Sequence, residues 1–591
     1  MACAKGSVRT ALLWVLLATL VAGAEPPLAG TRHRDGRGTA KLVLPPSGGS
    51  AAGSGRQAAE AYLQARSGEF GLSADLAALE LVTRRESLLG THFRYRQVLH
   101  GLPVVGGDLV VSVSRSSGAV YQVYNNTYPV TVPPALPKAL IGAERALDTA
   151  WDQLRVQGRL LQPLRAEMAY VPADGGFRLV YRTFTAVEAP FGFWEHQIDA
   201  VSGEVTAVRD TVLRERKNGG PAADLAATTG AVWSRADALR AWDATPAARQ
   251  PAPAANKSTV DGSALVFDGD PRTTLAAETL VDSSPAAAFA GAYVTRALRD
   301  ISFSAGVYAL VGPWVQVVDF EAPHTVPSTS ATGQWTATRG NNAFNDAMTY
   351  FHIDQNQRYL QSLGYTGVTG IQYGSIQADS DGLNGRDNSW YIPATNQLSF
   401  GHGGVDDNED ADVILHEYGH ALTFDIVPTW GCGDSGAIGE GYGDYWGASY
   451  SYTTTNGTTF HPTWAFSWDG HSADTWTGRS LAMTSLTYNP AHTYLAHETI
   501  GGITDYSDQL WGTPLFQSFL ALLTLGVPRS DVDRIVIEAY FGIGANPTLR
   551  DMATATVNTA ALLFPAGPHA AVFREKFMAP GILLPDPDAL Q

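Results

Sequence analysis

Two histidines four residues apart, with a glutamate directly after the first, stand in the run ADVILHEYGHALTF at 411–424. The spacing of its apolar residues is helical. On a helix, positions i and i+4 share one face, so His416 and His420 converge on a single ion. Neutral imidazole suits zinc, and two such ligands leave room for a third ligand and a water. Glu417 flanks that water without ligating and is placed to take its proton as a general base. A His-Glu-x-x-His string arises by chance in a chain of this kind with odds of about one in a hundred. Taken alone, it also suits an exposed charged helix.

The next segment narrows the choice. GAIGEGYGDYW at 436–446 also reads as a helix. Glu440 lies far enough beyond His420 for a loop and a return to an antiparallel neighbour, so its carboxylate can be a third ligand. Asp444 is i+4 from Glu440, on the same face. It can accept the second N–H of a ligand imidazole and fix its tautomer; a surface acid is the plainer reading of Asp444 alone.

HEYGH followed by GAIGEGYGDYW resembles the fungalysin family of secreted zinc metallopeptidases and, more distantly, the thermolysins. The resemblance implies that His416, His420 and Glu440 bind one catalytic zinc ion, that Glu417 is the base, and that Asp444 supports a ligand histidine. Gly431-Cys432, just before the Glu440 helix, is similar to fungalysins too. HFRYRQVLHGLPVVGGDLVV at 92–111 resembles the propeptide of both families, and 167–209 resembles its second half. The fold implied is α+β: small α+β propeptide modules, then a two-lobed thermolysin-like catalytic unit with a β-rich N-terminal lobe and a helical C-terminal lobe. In thermolysin-like enzymes an Asn-Ala-aromatic edge strand holds the substrate backbone as an added strand. Asn388 and Ser389 take that place here, where an ordinary turn-to-strand boundary is the alternative.

These enzymes also use a histidine of the helical lobe to steady the oxyanion. His461, His471, His492 and His497 fall in the window after Glu440. The first two sit in an aromatic, turn-rich stretch that reads as surface loop. His497, in HETIGG shortly before the Trp-bearing helix at SDQLWGTPLF, fits the family order best, with His492 as runner-up.

Calcium gains no such support. VDDNEDAD at 405–412 is acidic, and negative charge near a helix N-terminus is favourable without any ion. Asp412 matches a thermolysin calcium ligand, but residues 445–468 contain no Asp or Glu to complete that site.

The rest of the chain sets the context. Residues 1–10 carry Lys5 and Arg9, 11–23 are an apolar run, and Ala22-Gly23-Ala24 follows. That is the order of a secretory signal peptide, 1–24; an apolar run of this length falls short of the about 20 residues that span a bilayer. Its removal takes Cys3 and leaves Cys432 alone, a buried structural thiol in the plainest reading. Residues 25–57 read as a loose leader within a propeptide at 25–213, with folded modules at about 60–210. The Pro/Ala-rich stretches in 214–262 read as an exposed linker holding the maturation site. The peptidase domain follows at 263–591. A net charge of −17 with no basic block sets nucleic acid aside. The sequence thus describes a soluble, exported monomer with polypeptide substrates and its own propeptide as partners, and no membrane partner after signal removal. Its rivals are a non-catalytic binding or inhibitory protein on the same scaffold and a zinc hydrolase of non-peptide substrates; the intact motif and the propeptide weigh against them.

Overall fold

A computed structural model describes residues 30–46, 55–130, 141–173, 176–214, 232–243, 258–431, 433–471, 476–500 and 507–585. The signal-peptide reading at 1–24 and Cys432 lie outside the described residues. Helices and sheets are both present in quantity. No described helix is long and apolar enough to cross a membrane.

The N-terminal part is built on a ten-stranded sheet. The strands Gly90–Leu99, Leu102–Ser114 and Val120–Asn125 run antiparallel in sequence order. Arg165–Ala173, Gly176–Glu188, Phe191–Asp199 and Val205–Asp210 form a second antiparallel meander. One parallel pairing, Val104 with Tyr170, joins the two halves. The helix Arg56–Ala65 covers the first half and Ala143–Leu154 the second.

Two readings of the sequence are corrected here. The leader is ordered where it is described: Arg32–Arg34 and Ala40–Val43 are strands. Ala40–Val43 is buried throughout and pairs with Val120–Asn125. Apolar burial of Leu42 and Leu44 fixes a segment whose composition reads as loop. The stretch taken for an exposed linker contains the helix Arg235–Asp243. It is held by Arg235 to Asp148 at 2.9 Å and by Ala238, Leu239 and Trp242 in a cluster with Trp151 and Val156.

The C-terminal part begins at the strand Ser258–Phe267, which lies in a five-stranded sheet with Tyr293–Ser304. A second five-stranded sheet has the order Leu213–Arg214, Ser389–Ile392, Gln397–Phe400, Ile376–Asp379, Val315–Val317. Its edge strand therefore comes from the N-terminal part. From residue 411 onward the described chain is mostly helical: Ala411–Ile426, Ser435–Ser451, Ser507–Thr524, Arg529–Phe541, Leu549–Leu563 and His569–Met578. With the long helix Asn342–Ser362, these lie close to where their apolar spacing puts them.

The helix Ala411–Ile426 is buried on every side from Ala411 to Thr423. Asp410 caps its N-terminus, accepting from the Asp412 N–H at 2.9 Å. A wholly buried helix needs neighbours that come close, and Ser435–Ser451 does so through glycine. A Cβ on Gly443 would stand 2.6 Å from His416 Nδ1, and one on Gly441 would stand 2.4 Å from the Asp508 carbonyl. Gly441→Ala should therefore push apart the helices Ser435–Ser451 and Ser507–Thr524, at a cost of about 1–3 kcal/mol. Thermal unfolding should show a lowered Tm for it and no change for Gly374→Ala, where an added Cβ meets nothing within 4 Å.

Candidate metal centre

The two packed helices bring three donors together. His416, His420 and Glu440 each offer one ligand atom, and these atoms lie within 4.8 Å of one another, all buried. His416 Nε2 is 3.1 Å from Glu440 Oε2, and His420 Nε2 is 3.5 Å from Glu440 Oε1. His420 Nε2 is buried and makes no hydrogen bond. Two imidazole nitrogens and one carboxylate oxygen, one of them without a hydrogen bond of its own, fit a tetrahedral cation that keeps one position for solvent. The group could hold a metal ion.

The surroundings hold each donor in place. Asp444 Oδ1 is 3.1 Å from His416 Nδ1. Burial alone would lower the His416 pKa, but the hydrogen bonds to Asp444 and Glu440 outweigh it and hold it well above the ordinary imidazole value. Burial would likewise raise Glu440, yet His497 and His420 keep its carboxyl well below the usual range. Glu417 is fully buried one position after His416.

His497 joins this group and the other three histidines do not. Its Nε2 is 3.3 Å from Glu440 Oε2, and its Nδ1 is 2.9 Å from Asp508 Oδ2. Burial opposes protonation there, but Glu440 and Asp508 raise its pKa above the ordinary value. His492 is half exposed and pairs with Glu498 at 2.7 Å. His461 stacks on Trp464 and Trp464 on His471, with ring centres 3.6 and 4.0 Å apart. The surface-loop reading of this stretch is corrected: Phe466, Trp468 and Trp476 are buried and bind the loop to the core.

Sequence reasoning missed two members of the site. Arg479, whose side chain is fully buried, reaches Asp444 at 3.2 Å and Asp508 at 3.5 Å. Its guanidinium lies over Phe466 and Trp476. It thus ties the carboxylate behind His416 to the carboxylate behind His497. Nothing local marks Arg479 in the sequence. Asp508 carried a faint signal, an acid in the first turn of the helix that follows His497.

The strand Ser389–Ile392 packs against the His416 helix. Asn388 is partly buried at its start, and the Ser389 hydroxyl donates to the buried carboxylate of Asp407. The Ser389 side chain is therefore committed inward. The outer edge of this strand is paired with residues of the N-terminal part, Leu213 opposite Tyr391 and Arg214 opposite Trp390. Phe191 stacks on Trp390, ring centres 4.8 Å apart. Asp412 serves the fold: it accepts from the Ser451 hydroxyl and from the Phe466 N–H at 2.9 Å. Its carboxyl is pushed up to about 7 by burial first, with the nearby Asp270 adding to the rise.

Residues 77–127 match the Fungalysin/Thermolysin Propeptide Motif. The chain is 25% identical over 399 residues to Bacillolysin of Bacillus amyloliquefaciens, covering 62% of this chain and 61% of that protein, less than two thirds of it. Among solved structures, the precursor of protealysin, a metalloproteinase from Serratia proteamaculans, is 13% identical with a TM-score of 0.32, over 46% of this chain and 87% of that one. The C-terminal domain of Bacillus megaterium YpeB is 13% identical with a TM-score of 0.18, over 29% of this chain and 71% of that one. TM-scores this low carry no argument. The propeptide motif and the bacillolysin match bear out the resemblance read from the sequence: the chain carries the Fungalysin/Thermolysin Propeptide Motif and is similar to Bacillolysin.

Proposed function

We propose that the chain is the latent precursor of a secreted zinc endopeptidase, with a two-lobed thermolysin-like catalytic unit at 263–591. The observation that carries this reading is the convergence of His416, His420 and Glu440, with Glu417 beside them and His497 opposite. His416, His420 and Glu440 would hold the zinc. That ion supplies Lewis acidity, acidifying a water and polarising the scissile carbonyl. Glu417 takes the proton from the attacking water and delivers it to the leaving amine. His497, held by Asp508, donates to the developing oxyanion. Asp444 keeps the His416 ring in the tautomer that leaves Nε2 free to ligate. Asn388 and Ser389 begin the strand on which substrate adds through its backbone.

The pro-segment, residues 25–213, stands in the way of that addition. Leu213 and Arg214 already pair with the strand, as an autoinhibitory segment would. Activity then requires a cut in the 214–262 region, and signal-peptide removal at Ala24 places the precursor outside the cell.

Three outcomes test this. Glu417→Gln should reduce peptide hydrolysis to below about one per cent while metal analysis still finds one zinc per chain, whereas Glu440→Ala should lose the metal itself. His497→Ala should lower kcat by about 10²–10³ with zinc retained, and His492→Ala should leave kcat unchanged. N-terminal sequencing of the active form should find a start between Arg214 and Asp261; an intact chain from residue 25 with full activity on casein would overturn the inhibitory role.

A further inference from the structure

The face of the cleft strand that looks away from the main core is built on a buried carboxylate. Along Ser389–Ile392 the side chains alternate between two faces. Tyr391 joins the largest core, whereas Trp390 and Ile392 belong to a separate apolar cluster with Leu383 and Phe320. From the N-terminal part, Phe191, Phe193 and Val212 complete that cluster. The Phe191 ring lies flat on the Trp390 indole, with ring centres 4.8 Å apart and planes 7° from parallel.

Behind this cluster stands Glu321, only 8% exposed. Its carboxylate gathers three segments of the chain. Oε1 accepts from the Trp390 indole N–H at 3.2 Å. Oε2 accepts from the Leu383 N–H at 3.0 Å and from the Ser399 hydroxyl at 2.8 Å. Ser399 is the cross-strand partner of Trp390. Glu321 is itself fixed at its backbone, because Asp379 accepts from the N–H groups of Phe320 at 2.8 Å and Glu321 at 2.9 Å.

The turn at Leu383 is fitted closely to this carboxylate. Leu383 and Asn384 have φ of 53° and 55°. A branched side chain adopts that conformation only where its surroundings impose it. A Cβ on Gly382 would stand 2.0 Å from the Ser399 hydroxyl and 3.0 Å from Glu321 Oε2. Apolar contact alone has no direction and would leave an indole free to turn. The hydrogen bonds to Glu321 give Trp390 and Leu383 set positions.

We propose that Glu321 is a positioning residue for substrate: by holding Trp390 and Leu383 from behind, its ionised carboxylate shapes a subsite beside the strand Ser389–Ile392 that takes a flat aromatic side chain of the polypeptide, the place Phe191 fills in the uncut chain. This rests on the reading of that strand as the one on which substrate adds, and it deepens that reading by naming a side chain the substrate should carry.

The charge state of Glu321 makes the role measurable. The Leu383 N–H and the Trp390 indole can only donate, one to each oxygen, so a proton on either oxygen weakens one of these bonds. Burial pushes the carboxyl up to about 7, with Asp379 adding to the rise against the pull of the hydrogen bonds. The charged groups around it are Asp379, Asp319 with His324 at 2.9 Å, and Asp381 paired with His402. The subsite should therefore be formed above neutrality and loosen as pH falls through about 7.

The test uses the active form produced from the full chain and a series of alanine-rich peptides in which one Phe is moved through the positions around the scissile bond. At one position the ratio of kcat/KM for Phe over Ala should fall at least about fivefold from pH 8.5 to pH 6, through KM with kcat alike for the two peptides. The ratio cancels titrations that both peptides share. Glu321→Gln should bring the ratio at pH 8.5 down to its acid value and leave it flat with pH, although His324 and His402 still titrate. A preference that follows pH at no position overturns the proposal, as does a Gln variant that keeps the pH dependence or lowers kcat for every peptide alike. Should that variant fail to fold, the wild-type profile decides by itself. Hydrogen exchange at the Leu383 amide of the uncut chain, corrected for its intrinsic pH dependence, reads the hold without catalysis: protection should be several-fold weaker at pH 6 than at pH 8.5, and weak at both in Glu321→Gln. Protection indifferent to pH and to the substitution refutes the hold. A chain that hydrolyses peptides without the aromatic preference sinks the subsite alone, whereas a chain that hydrolyses none sinks the functional reading and the subsite with it.

Discussion

The Glu440 carboxylate is the point on which the C-terminal half is organised. A charge buried in a low-dielectric interior is tolerated only when partners surround it. Glu440 has His416, His420 and His497 within 3.5 Å. His416 is in turn backed by Asp444 and His497 by Asp508, and Arg479 balances the two acids from between them. Each member answers the desolvation of another, so the network stands as a unit. It also explains the glycines of the Glu440 helix. Imidazole rings and a neighbouring helix must come within a few ångströms of this backbone, and a methyl group at 441 or 443 occupies that space.

The N-terminal half depends on the same economy at a different scale. Its sheet presents side-chain donors to the C-terminal part and covers part of the apolar surface there, with Leu42, Leu44, Val110 and Tyr124 in a shared core. An interface of this kind combines the non-directional gain of apolar burial with the register of hydrogen bonds to main chain. Its position on the helices that follow Glu440 places it far along the sequence from the motif, yet the start of the Glu440 helix touches the same region. Asp434 accepts from the Leu549 N–H at 3.0 Å, just past the loop that the sheet holds.

Much of this was legible before any coordinates. The helices at the motif announce themselves by apolar spacing, and i, i+4 arithmetic puts His416 with His420 on one face and Glu440 with Asp444 on another; that the two faces meet follows from the resemblance and from tertiary packing. His497 was singled out by its likeness to the family order, and its place beside Glu440 sets it apart from His492. Other features left no local trace. Arg32–Arg34 and Ala40–Val43 are short, and pairing across the sheet decides their conformation. The helix Arg235–Asp243 is embedded in alanine- and proline-rich surroundings that read as connector. Arg479 acquires its part only from tertiary neighbours, because neither spacing nor composition distinguishes an arginine that will be buried between two acids from one that will face solvent.

The strand Leu213–Arg214 belongs to the sheet of the C-terminal part while its chain continues from the other half. As long as the chain is unbroken, this strand meets its edge as an intramolecular ligand, at an effective concentration set by the tether rather than by the amount of protein present. Occupancy of the edge is then independent of protein concentration. Were that path interrupted, the strand's hold on its edge would depend on the other contacts that join the two parts, the shared core and the Phe191–Trp390 stack among them.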